Sequence, residues 1–369
     1  MKVGYLHSGP DQHGIRRYSQ LLAAQARRRP DLTVIESEAE MGEDTQKNRA
    51  ILADAAKSLA SADVIHIQYS GWLWGNNGWL QFNNLRSFFD NCSRPIVVTF
   101  HDIYLQPNYL SAKGKVRRAW HQYVPVGSTL RQVLSRCQQS LVCTQEEAQQ
   151  LNQLVGKQQT EIIPHFVESR SLDLDKSAVR TQLGLDGTIV TVLGWIHPDK
   201  GHQLVVEALP ELPIDVKVVF AGRPSLGGEG FGEELLALAK EKGVNDRLRI
   251  TGYLSEEDLE RYLVATDLAI CPFKKLSASG SLSTWISVER PILASDVPQI
   301  DEYNRLEPGA IQTFAPYTPS ALASAVRQML SDSLSNTDQK LEKLRQQLDM
   351  SVIFDQHLNY YASAIARGK

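Results

Sequence analysis

Short apolar runs alternate with helix-length segments along the first half of the chain. The runs are Val3 to Leu6, Val64 to Ile67, Ile96 to Phe100, Leu141 to Cys143 and Ile162 to Ile163. Buried strands separated by helices are typical of parallel β-α-β units. This spacing predicts a parallel α/β sheet.

A second series of the same kind occupies the other half. Its strands are predicted at Ile189 to Leu193, Val216 to Ala221, Leu248 to Thr251, Leu268 to Cys271 and Pro291 to Ala294. Amphipathic helices are predicted between and after them, at Glu233 to Lys242, Ser255 to Thr266 and Pro319 to Leu330. Ser255 followed by acidic residues is a helix-start signal.

A polar stretch from Ser169 to Lys176 separates the two series and lacks a strand or helix period. A length of 369 residues fits two domains of roughly 150 to 200 residues each. We predict two Rossmann-like domains whose sheets face a central cleft, and a C-terminal helix that crosses back to the N-terminal domain. The predicted boundaries are 1–168, a linker at 169–180, 181–350, and the crossover helix at 351–369.

Composition narrows the class of protein. With 42% hydrophobic and 22% charged residues, the chain is globular and shows no bias toward disorder. The four cysteines have no C-x-x-C pair and no metal-ligand spacing relative to the nine histidines, which favours buried thiols in a reducing compartment and no metal site.

Charge and hydropathy also bear on location and partners. The N-terminus lacks the pattern of a secretion signal, and no apolar run approaches the roughly 18 residues of a membrane span. A net charge of −3 gives no general attraction to nucleic acid or anionic lipid. We expect a cytoplasmic protein that binds no nucleic acid. The basic run from Lys113 to Trp120 is either a solvated helical face or a peripheral contact with the inner face of a membrane.

Polar residues interrupt the predicted strands of the first domain near their carboxyl ends. His101 and Asp102 follow one strand, and His66 and Tyr69 lie in another. Polar residues at these ends are explained if they face a ligand cleft. His66 also fits a hydrogen-bonded core histidine. The loop containing Gly14 either makes a tight turn or brings backbone amides to a phosphate or sugar.

Two strand-loop-helix junctions in the second domain suit an anion. Gly194 to Gly201 places Lys200 at a predicted helix start, where the helix dipole already favours negative charge. The loop after Cys271 combines lysines with the small residues Ser279, Gly280 and Ser281. Amides and lysines can surround a diphosphate without a metal.

At these residues the chain resembles the glycosyltransferase group 1 family, which comprises retaining enzymes with two Rossmann domains. The similarity runs through nearly the whole chain. The matching segments are His13-Gly14-Ile15, Phe100-His101-Asp102, Ile163 to Val167, Gly194 to Gly201, Gly222, Gly252-Tyr253-Leu254, Ala265 to Asp267, the Pro272 loop and Arg290 to Asp296.

The resemblance implies roles for individual residues. Lys200 would neutralise the donor diphosphate, and His101 would meet the transferred sugar; these are the predicted catalytic residues. The predicted donor-binding residues are Gly14, Gly194, Gly201, Gly222, Tyr253, Leu254, Lys275, Ser279, Gly280, Ser281, Leu282 and Thr284. Amides of Gly280 to Leu282 would hold the distal phosphate, and backbone near Tyr253 and Leu254 would meet the base. The predicted acceptor-binding residues are Tyr69, Trp72 and Asp102.

The chain also departs from the family pattern. Trp195 stands where an arginine usually follows the glycine, and Leu276 and Thr284 stand near positions that are usually glutamates. The turn Ser279-Gly280-Ser281 looks like a variant that replaces the first glutamate region.

The sequence thus predicts a metal-independent glycosyltransferase that retains anomeric configuration and needs no cofactor besides its nucleotide-sugar substrate. Asp173-Leu174-Asp175 resembles a metal-diphosphate motif but falls in the predicted linker, so we interpret it as solvated charge. An inverting enzyme would need a base, for which Asp102 is the candidate. A non-catalytic nucleotide-sugar binder and an epimerase on the same fold are the alternatives, and the epimerase would need acid/base carboxylates that we do not find.

Overall fold

A computed structural model describes residues 1–10, 13–75, 78–103, 127–157, 159–170, 172–225, 228–274, 279–331 and 335–368. The chain divides into two compact units. The first unit contains Met1–His165 together with Met350–Lys369, and the second contains Phe166–Asp349.

The first unit is built on a parallel sheet with the strand order β2-β1-β3-β4-β5-β6. Its strands are β1 (Lys2–Ser8), β2 (Thr33–Ala39), β3 (Val64–Tyr69), β4 (Ile96–Phe100), β5 (Gln139–Val142) and β6 (Thr160–Ile162). Its helices before the boundary are α1 (Gly14–Arg27), α2 (Thr45–Ser58), α3 (Gly78–Asn91), α4 (residues 127–136) and α5 (Gln145–Val155). Every residue of β3 and β4 is buried, as expected for central strands of a parallel sheet covered on both faces.

The second unit contains another parallel sheet, with the order β12-β11-β10-β7-β8-β9. Its strands are β7 (Thr188–Leu193), β8 (Val216–Ala221), β9 (Leu248–Ile250), β10 (Leu268–Cys271), β11 (Ile292–Ser295) and β12 (Gln312–Phe314). Its helices are α6 (Lys176–Leu183), α7 (His202–Ala208), α8 (Glu229–Glu241), α9 (Glu256–Ala265), α10 (Gly280–Ser287), α11 (Pro298–Leu306), α12 (Pro319–Ser331) and α13 (Ser335–Gln347).

The last helix, α14 (Met350–Arg367), returns to the first unit. It buries Ile353, Phe354, His357 and Tyr361. The predicted fold class, two Rossmann-like parallel sheets with a C-terminal helix that crosses back, is confirmed.

The segment predicted as a linker is partly helical. The boundary between the two units falls between His165 and Phe166. Helix α6 begins at Lys176, inside the predicted linker. Asp175 caps this helix, because its side chain accepts a hydrogen bond from the Ala178 amide at 2.7 Å. Val179 then anchors the helix in the core of the second unit. The second aspartate of the D-x-D sequence therefore has a structural role.

The described helices include none that is long and apolar enough to cross a membrane. All four cysteines are free thiols, with Cys143 and Cys271 buried and Cys92 and Cys137 half-buried.

Candidate functional site

The second sheet reverses its strand order between β7 and β10, which lie side by side at its centre. Open parallel sheets bind ligands beyond the carboxyl ends of the strands at such a reversal. Two loops leave this point: the β7 loop, Gly194–Gly201, and the β10 loop, described at Pro272–Lys274 and at Ser279. Both predicted anion-binding segments thus begin at the topological switch point.

Glycine is required in the β7 loop at both ends. Gly194 has a φ of +110°, and a Cβ added there would lie 3.6 Å from the Cβ of Ser281. Gly201 has a φ of +76°, and its added Cβ would lie 1.9 Å from the carbonyl oxygen of Pro272. A side chain at Gly201 would displace the β10 loop. The β7 and β10 loops are therefore in contact at the backbone of Gly201.

Lys200 lies between these glycines, at the end of a 3₁₀ turn formed by Pro198–Lys200. Its Nζ is 4.7 Å from the centroid of the Phe273 ring, a cation–π distance. Burial raises the pKa of the Cys271 thiol to about 12, while the nearby Lys200 charge acts in the opposite direction. The ammonium group is thus held beside the carboxyl end of β10.

The N-terminus of α10 completes this side of the switch point. Ser279 caps the helix, and its Oγ accepts from the Leu282 amide at 3.3 Å and contacts the Ser281 Oγ at 2.9 Å. The Leu282 amide, predicted to hold phosphate, is therefore bonded to Ser279. Gly280 is exposed, and a Cβ added to it would meet no atom of the described residues within 4 Å. Thr284 donates its hydroxyl to the Gly280 carbonyl at 2.8 Å.

An arginine that sequence reasoning missed lies on the other side of β7. Arg223 follows Gly222 at the end of β8, and its guanidinium carbon is 4.8 Å from the Trp195 ring centroid and 5.2 Å from that of Tyr253. A Cβ added to Gly222 would lie 1.9 Å from the Gly194 carbonyl oxygen, so the two strand ends are in close contact. Arg223 was recognisable in the sequence only because it directly follows a glycine at the end of a predicted strand.

The neighbouring predicted residues differ in exposure. Tyr253 is 58% exposed beside this arginine. Leu254 instead packs its side chain against the smaller core of the second unit. Lys275 and Leu276 lie outside the described residues.

In the first unit, His101 follows β4 and is 6% exposed. Its Nε2 bonds to the Gln68 Oε1 at 2.8 Å, and its amide donates to the Tyr69 carbonyl at 2.7 Å. The Tyr18 ring stands edge-on to the imidazole, with centroids 5.1 Å apart. Burial lowers the pKa of His101 to about 3, helped by the nearby His165. His101 is consequently a neutral imidazole at physiological pH.

Asp102 directly follows this histidine with a φ of +53°. A non-glycine residue in the left-handed region marks local strain, which often accompanies function. The Ser70 hydroxyl donates to the Asp102 Oδ2 at 3.3 Å. The Asp102 side chain thus lies at the end of the sheet where its strands terminate.

The other predicted residues of the first unit separate into open and buried positions. Trp72 is 46% exposed, and its ring lies 4.3 Å from that of His13. His13 caps α1 by accepting from the Ile15 amide at 3.2 Å, and a Cβ added to Gly14 would make no new contact within 4 Å in the described ranges. Tyr69 is 3% exposed and packs on Phe100 at 5.3 Å. Tyr69 is thus buried, and its role in acceptor binding stays a prediction.

Known proteins resemble this chain in sequence and in fold. Residues 187–332, most of the second unit, match the model of the family described as Glycosyl transferases group 1. Most of the second unit is therefore similar to this family. The chain is also 32% identical over 228 residues to the D-inositol 3-phosphate glycosyltransferase of Mycobacterium sp. strain KMS, covering 60% of this chain and 48% of that protein. The Mycolicibacterium smegmatis protein of the same name is 32% identical over 228 residues, covering 60% of this chain and 49% of the relative.

Solved structures extend the likeness of fold to the whole chain. Anabaena HepE, solved in complex with UDP-glucose, superposes with a TM-score of 0.75 at 17% identity, covering 98% of this chain and 100% of its own. Sucrose-phosphate synthase from Thermosynechococcus elongatus gives 0.73 at 18% identity, covering 99% of each chain. The chain spans about half the length of the curated relatives it matches.

Two positions at which the sequence departs from the group 1 pattern make local contacts. Trp195 forms one face of the aromatic pair around Arg223, so a guanidinium group lies beside the switch point despite the tryptophan. Thr284 is engaged with its own helix backbone. Among the residues in the described ranges, no three His, Cys, Asp or Glu side chains cluster in a way that suits a metal ion.

Proposed function

We propose that the chain is a glycosyltransferase that moves a sugar from a nucleotide-diphosphate sugar to an unidentified acceptor, with retention and without a metal. The observation that carries this proposal is Lys200, held between two glycines at the switch point of the second sheet, in a domain of the group 1 family. A fixed cation, tight glycine backbone and a helix N-terminus are the features of a diphosphate site.

The donor would lie along the carboxyl ends of β7, β8 and β10. Its diphosphate would sit between Lys200 and the first amides of α10, at Gly280 and Ser281, because the Leu282 amide is already bonded. The base would lie toward Tyr253, where Arg223 offers a planar cation between aromatic rings. Since UDP-glucose is the ligand in the HepE structure, UDP-sugars are the first donors to test.

In the reaction, the bond between the anomeric carbon and the diphosphate oxygen breaks, and a bond from the acceptor oxygen to that carbon forms on the same face. The transition state resembles an oxocarbenium ion, and negative charge grows on the departing diphosphate. Lys200 would stabilise this charge. A diphosphate oxygen would take the acceptor proton, so no protein base is needed.

The first unit would supply the sugar and acceptor contacts. His101 is neutral because burial lowers its pKa to about 3, so it can hydrogen-bond a sugar hydroxyl but cannot act as a general acid near neutral pH. Trp72 and Asp102 are the proposed acceptor contacts, since Trp72 is 46% exposed and Asp102 is held at a strained turn.

The proposed function also implies binding partners and a cellular location for the protein. The partners would be a nucleotide sugar and a small-molecule, glycan or lipid-linked acceptor, and the location cytoplasmic with at most peripheral membrane contact. A non-catalytic nucleotide-sugar binder is the second candidate, favoured by Trp195 and Thr284 at positions that usually hold charged residues.

A panel of nucleotide sugars tests the proposal in two steps. Thermal shift identifies the donor, because a ligand at 100 times its dissociation constant stabilises the native state by roughly 2.7 kcal/mol. NMR of the anomeric proton then follows transfer to an acceptor, or slow hydrolysis, and reports its stereochemistry. A donor that binds tightly without transfer or hydrolysis would identify the non-catalytic binder, and inversion of another sugar carbon on the intact nucleotide would identify an epimerase.

A further inference from the structure

A row of polar side chains crosses the buried face of the first sheet beneath α14. His66 and Gln68 lie two residues apart on β3, so both point to the same face, and Thr99 lies opposite Gln68 on β4. His66 is completely buried, and Gln68 and Thr99 are 1% and 2% exposed. Buried polar side chains are costly unless they are hydrogen-bonded.

These side chains form a continuous chain of hydrogen bonds that ends at His101. Tyr361 of α14 bonds to the His66 Nδ1 at 2.8 Å, and its hydroxyl lies 3.3 Å from that of Tyr5. The His66 Nε2 is 2.8 Å from the Thr99 hydroxyl and 3.2 Å from the Gln68 Nε2. The Gln68 Oε1 then meets the His101 Nε2 at 2.8 Å.

In this structure the Gln68 amide turns its oxygen toward His101 and its nitrogen toward His66, and the direction of each bond follows from that orientation. A carbonyl oxygen only accepts, so the His101 Nε2 must carry a proton and donate it to Gln68. The Gln68 amide nitrogen only donates, so the His66 Nε2 must accept. His66 therefore carries its proton on Nδ1 and donates to Tyr361, whose hydroxyl can donate to Tyr5.

We propose that Gln68 is a positioning residue that holds His101 in the Nε2–H tautomer, through a hydrogen-bond chain anchored on Tyr361 of the C-terminal helix. This inference rests on the proposed function, in which His101 contacts the donor sugar. With its proton on Nε2, the neutral ring leaves Nδ1 as an acceptor. Whatever group meets Nδ1 must donate, as a sugar hydroxyl does.

Other ionisable groups surround His101, and none of them replaces Gln68 as the partner of its Nε2. They are His13 before α1, Tyr18 on α1, His66 on β3, Asp102 next in the chain, His165 after β6 and His357 on α14. The His357 Nδ1 donates to the Ile353 carbonyl at 3.0 Å, within its own helix. The side-chain amide of Gln68 thus sets which ring nitrogen of His101 carries the proton.

Histidine ¹⁵N NMR of the wild-type protein is the direct test, because it reports the protonated ring nitrogen without any activity assay. The account predicts His101 as a single Nε2–H tautomer and His66 as the Nδ1–H tautomer. A protonated His101 Nδ1, or a mixture of tautomers, overturns the proposal.

Two substitutions then separate tautomer control from packing. Gln68→Met keeps volume but removes both polar atoms, so we expect mixed His101 tautomers and turnover lower by roughly 10- to 100-fold, the range found when the hydrogen-bond partner of a metal-ligating histidine is removed. Gln68→Glu can still accept from the His101 Nε2, so it should restore the tautomer and most of the turnover at pH 8. Protonation of His101 beside the new carboxylate should then reduce activity as the pH falls.

Gln139→Met provides the matched control. Gln139 is a buried glutamine of β5, 3% exposed, whose amide nitrogen has no hydrogen-bond partner among the described residues, and its substitution should leave turnover and the His101 spectrum unchanged. An equal loss in Gln68→Met and Gln139→Met, or full activity in Gln68→Met with mixed tautomers, contradicts the proposal. If the wild-type tautomer is as predicted but His101→Ala has full turnover, the proposed function fails and the tautomer assignment stands.

Discussion

Acidification should unfold the first unit before the second, because the first unit buries several neutral histidines. Burial lowers the pKa of His101 to about 3 and that of His357 to about 4. The pKa of His66 lies well below its usual value, also because of burial. The second unit contains only His197 and His202, and of these His202 is buried.

The size of the effect follows from proton linkage. Above pH 6.5, the ordinary histidine value, folded and unfolded states are both neutral at these sites, so the histidines leave stability unchanged. As the pH falls from there toward the folded-state pKa values, only the unfolded state takes up protons, and stability decreases. At pH 5 each fully depressed histidine costs about 2 kcal/mol, so His101 and His357 together cost about 4 kcal/mol. His66 adds in the same direction.

Urea unfolding between pH 7.5 and 5, followed by hydrogen exchange in peptides of each unit, measures this loss. A typical domain is stable by only about 5 to 15 kcal/mol, so the predicted loss is a large fraction. His357→Leu should remove one titrating site and reduce the pH dependence by about 1.4 kcal/mol per pH unit below pH 6. His197→Gln, at an exposed position, is the control and should leave the slope unchanged.

Equal protection of both units at pH 5 would refute this reasoning, and so would a His357→Leu variant whose stability depends on pH as steeply as that of the wild type. Either result would mean that the histidines are hydrated or paired in a way that lets them take up protons in the folded state.

Further expectations concern the site. Activity should survive excess chelator, because lysine and amides supply the charge compensation; complete loss that magnesium or manganese restores would contradict this. His101→Ala should slow turnover strongly while leaving nucleotide-diphosphate affinity nearly intact, since the proposed diphosphate contacts belong to the second unit; calorimetry beside kinetics decides, and equal losses in both count against it. Gly201→Ala should destabilise the protein by about 2 to 5 kcal/mol in urea unfolding, because its Cβ would lie 1.9 Å from a backbone oxygen at a φ of +76°. Gly280→Ala, where the added Cβ meets no atom within 4 Å in the part of the chain that the structure describes, is its control and should leave stability within about 1 kcal/mol.

The apolar runs predicted the central strands but missed an edge strand in each sheet. Strand β2 has only one buried residue, and β12 is three residues long. Edge strands bury one face at most, so they lack the continuous hydrophobic signal on which the prediction depends. Helix starts were predictable where the cap is a recognised type: Ser255 accepts from the Asp258 amide at 3.1 Å, as its sequence indicated. The start of helix α1 at Gly14 has no such signal, because a histidine provides the cap.

The site could be predicted where glycine and charge meet at strand ends, and less well where side chains from distant segments meet. Gly194, Lys200 and Gly201 follow from the local pattern of a strand, a loop and a helix. Gln68 is recognisable only as a polar residue inside a buried strand, and its partner His66 is bonded to Tyr361 of α14, at the other end of the sequence. Such long-range pairings follow from the fold, which a local pattern does not contain.

The central claim is that the β7 loop holds the donor diphosphate through Lys200, and single-turnover kinetics with the identified nucleotide sugar test it most directly. Lys200→Ala should lower transition-state stabilisation by roughly 3 to 4 kcal/mol, about the cost of removing one charge-stabilising donor, which is a 100- to 1000-fold loss of rate. Lys240→Ala, an exposed lysine of α8, should leave the rate unchanged. Wild-type turnover in Lys200→Ala, or an equal loss in both variants, would contradict the account.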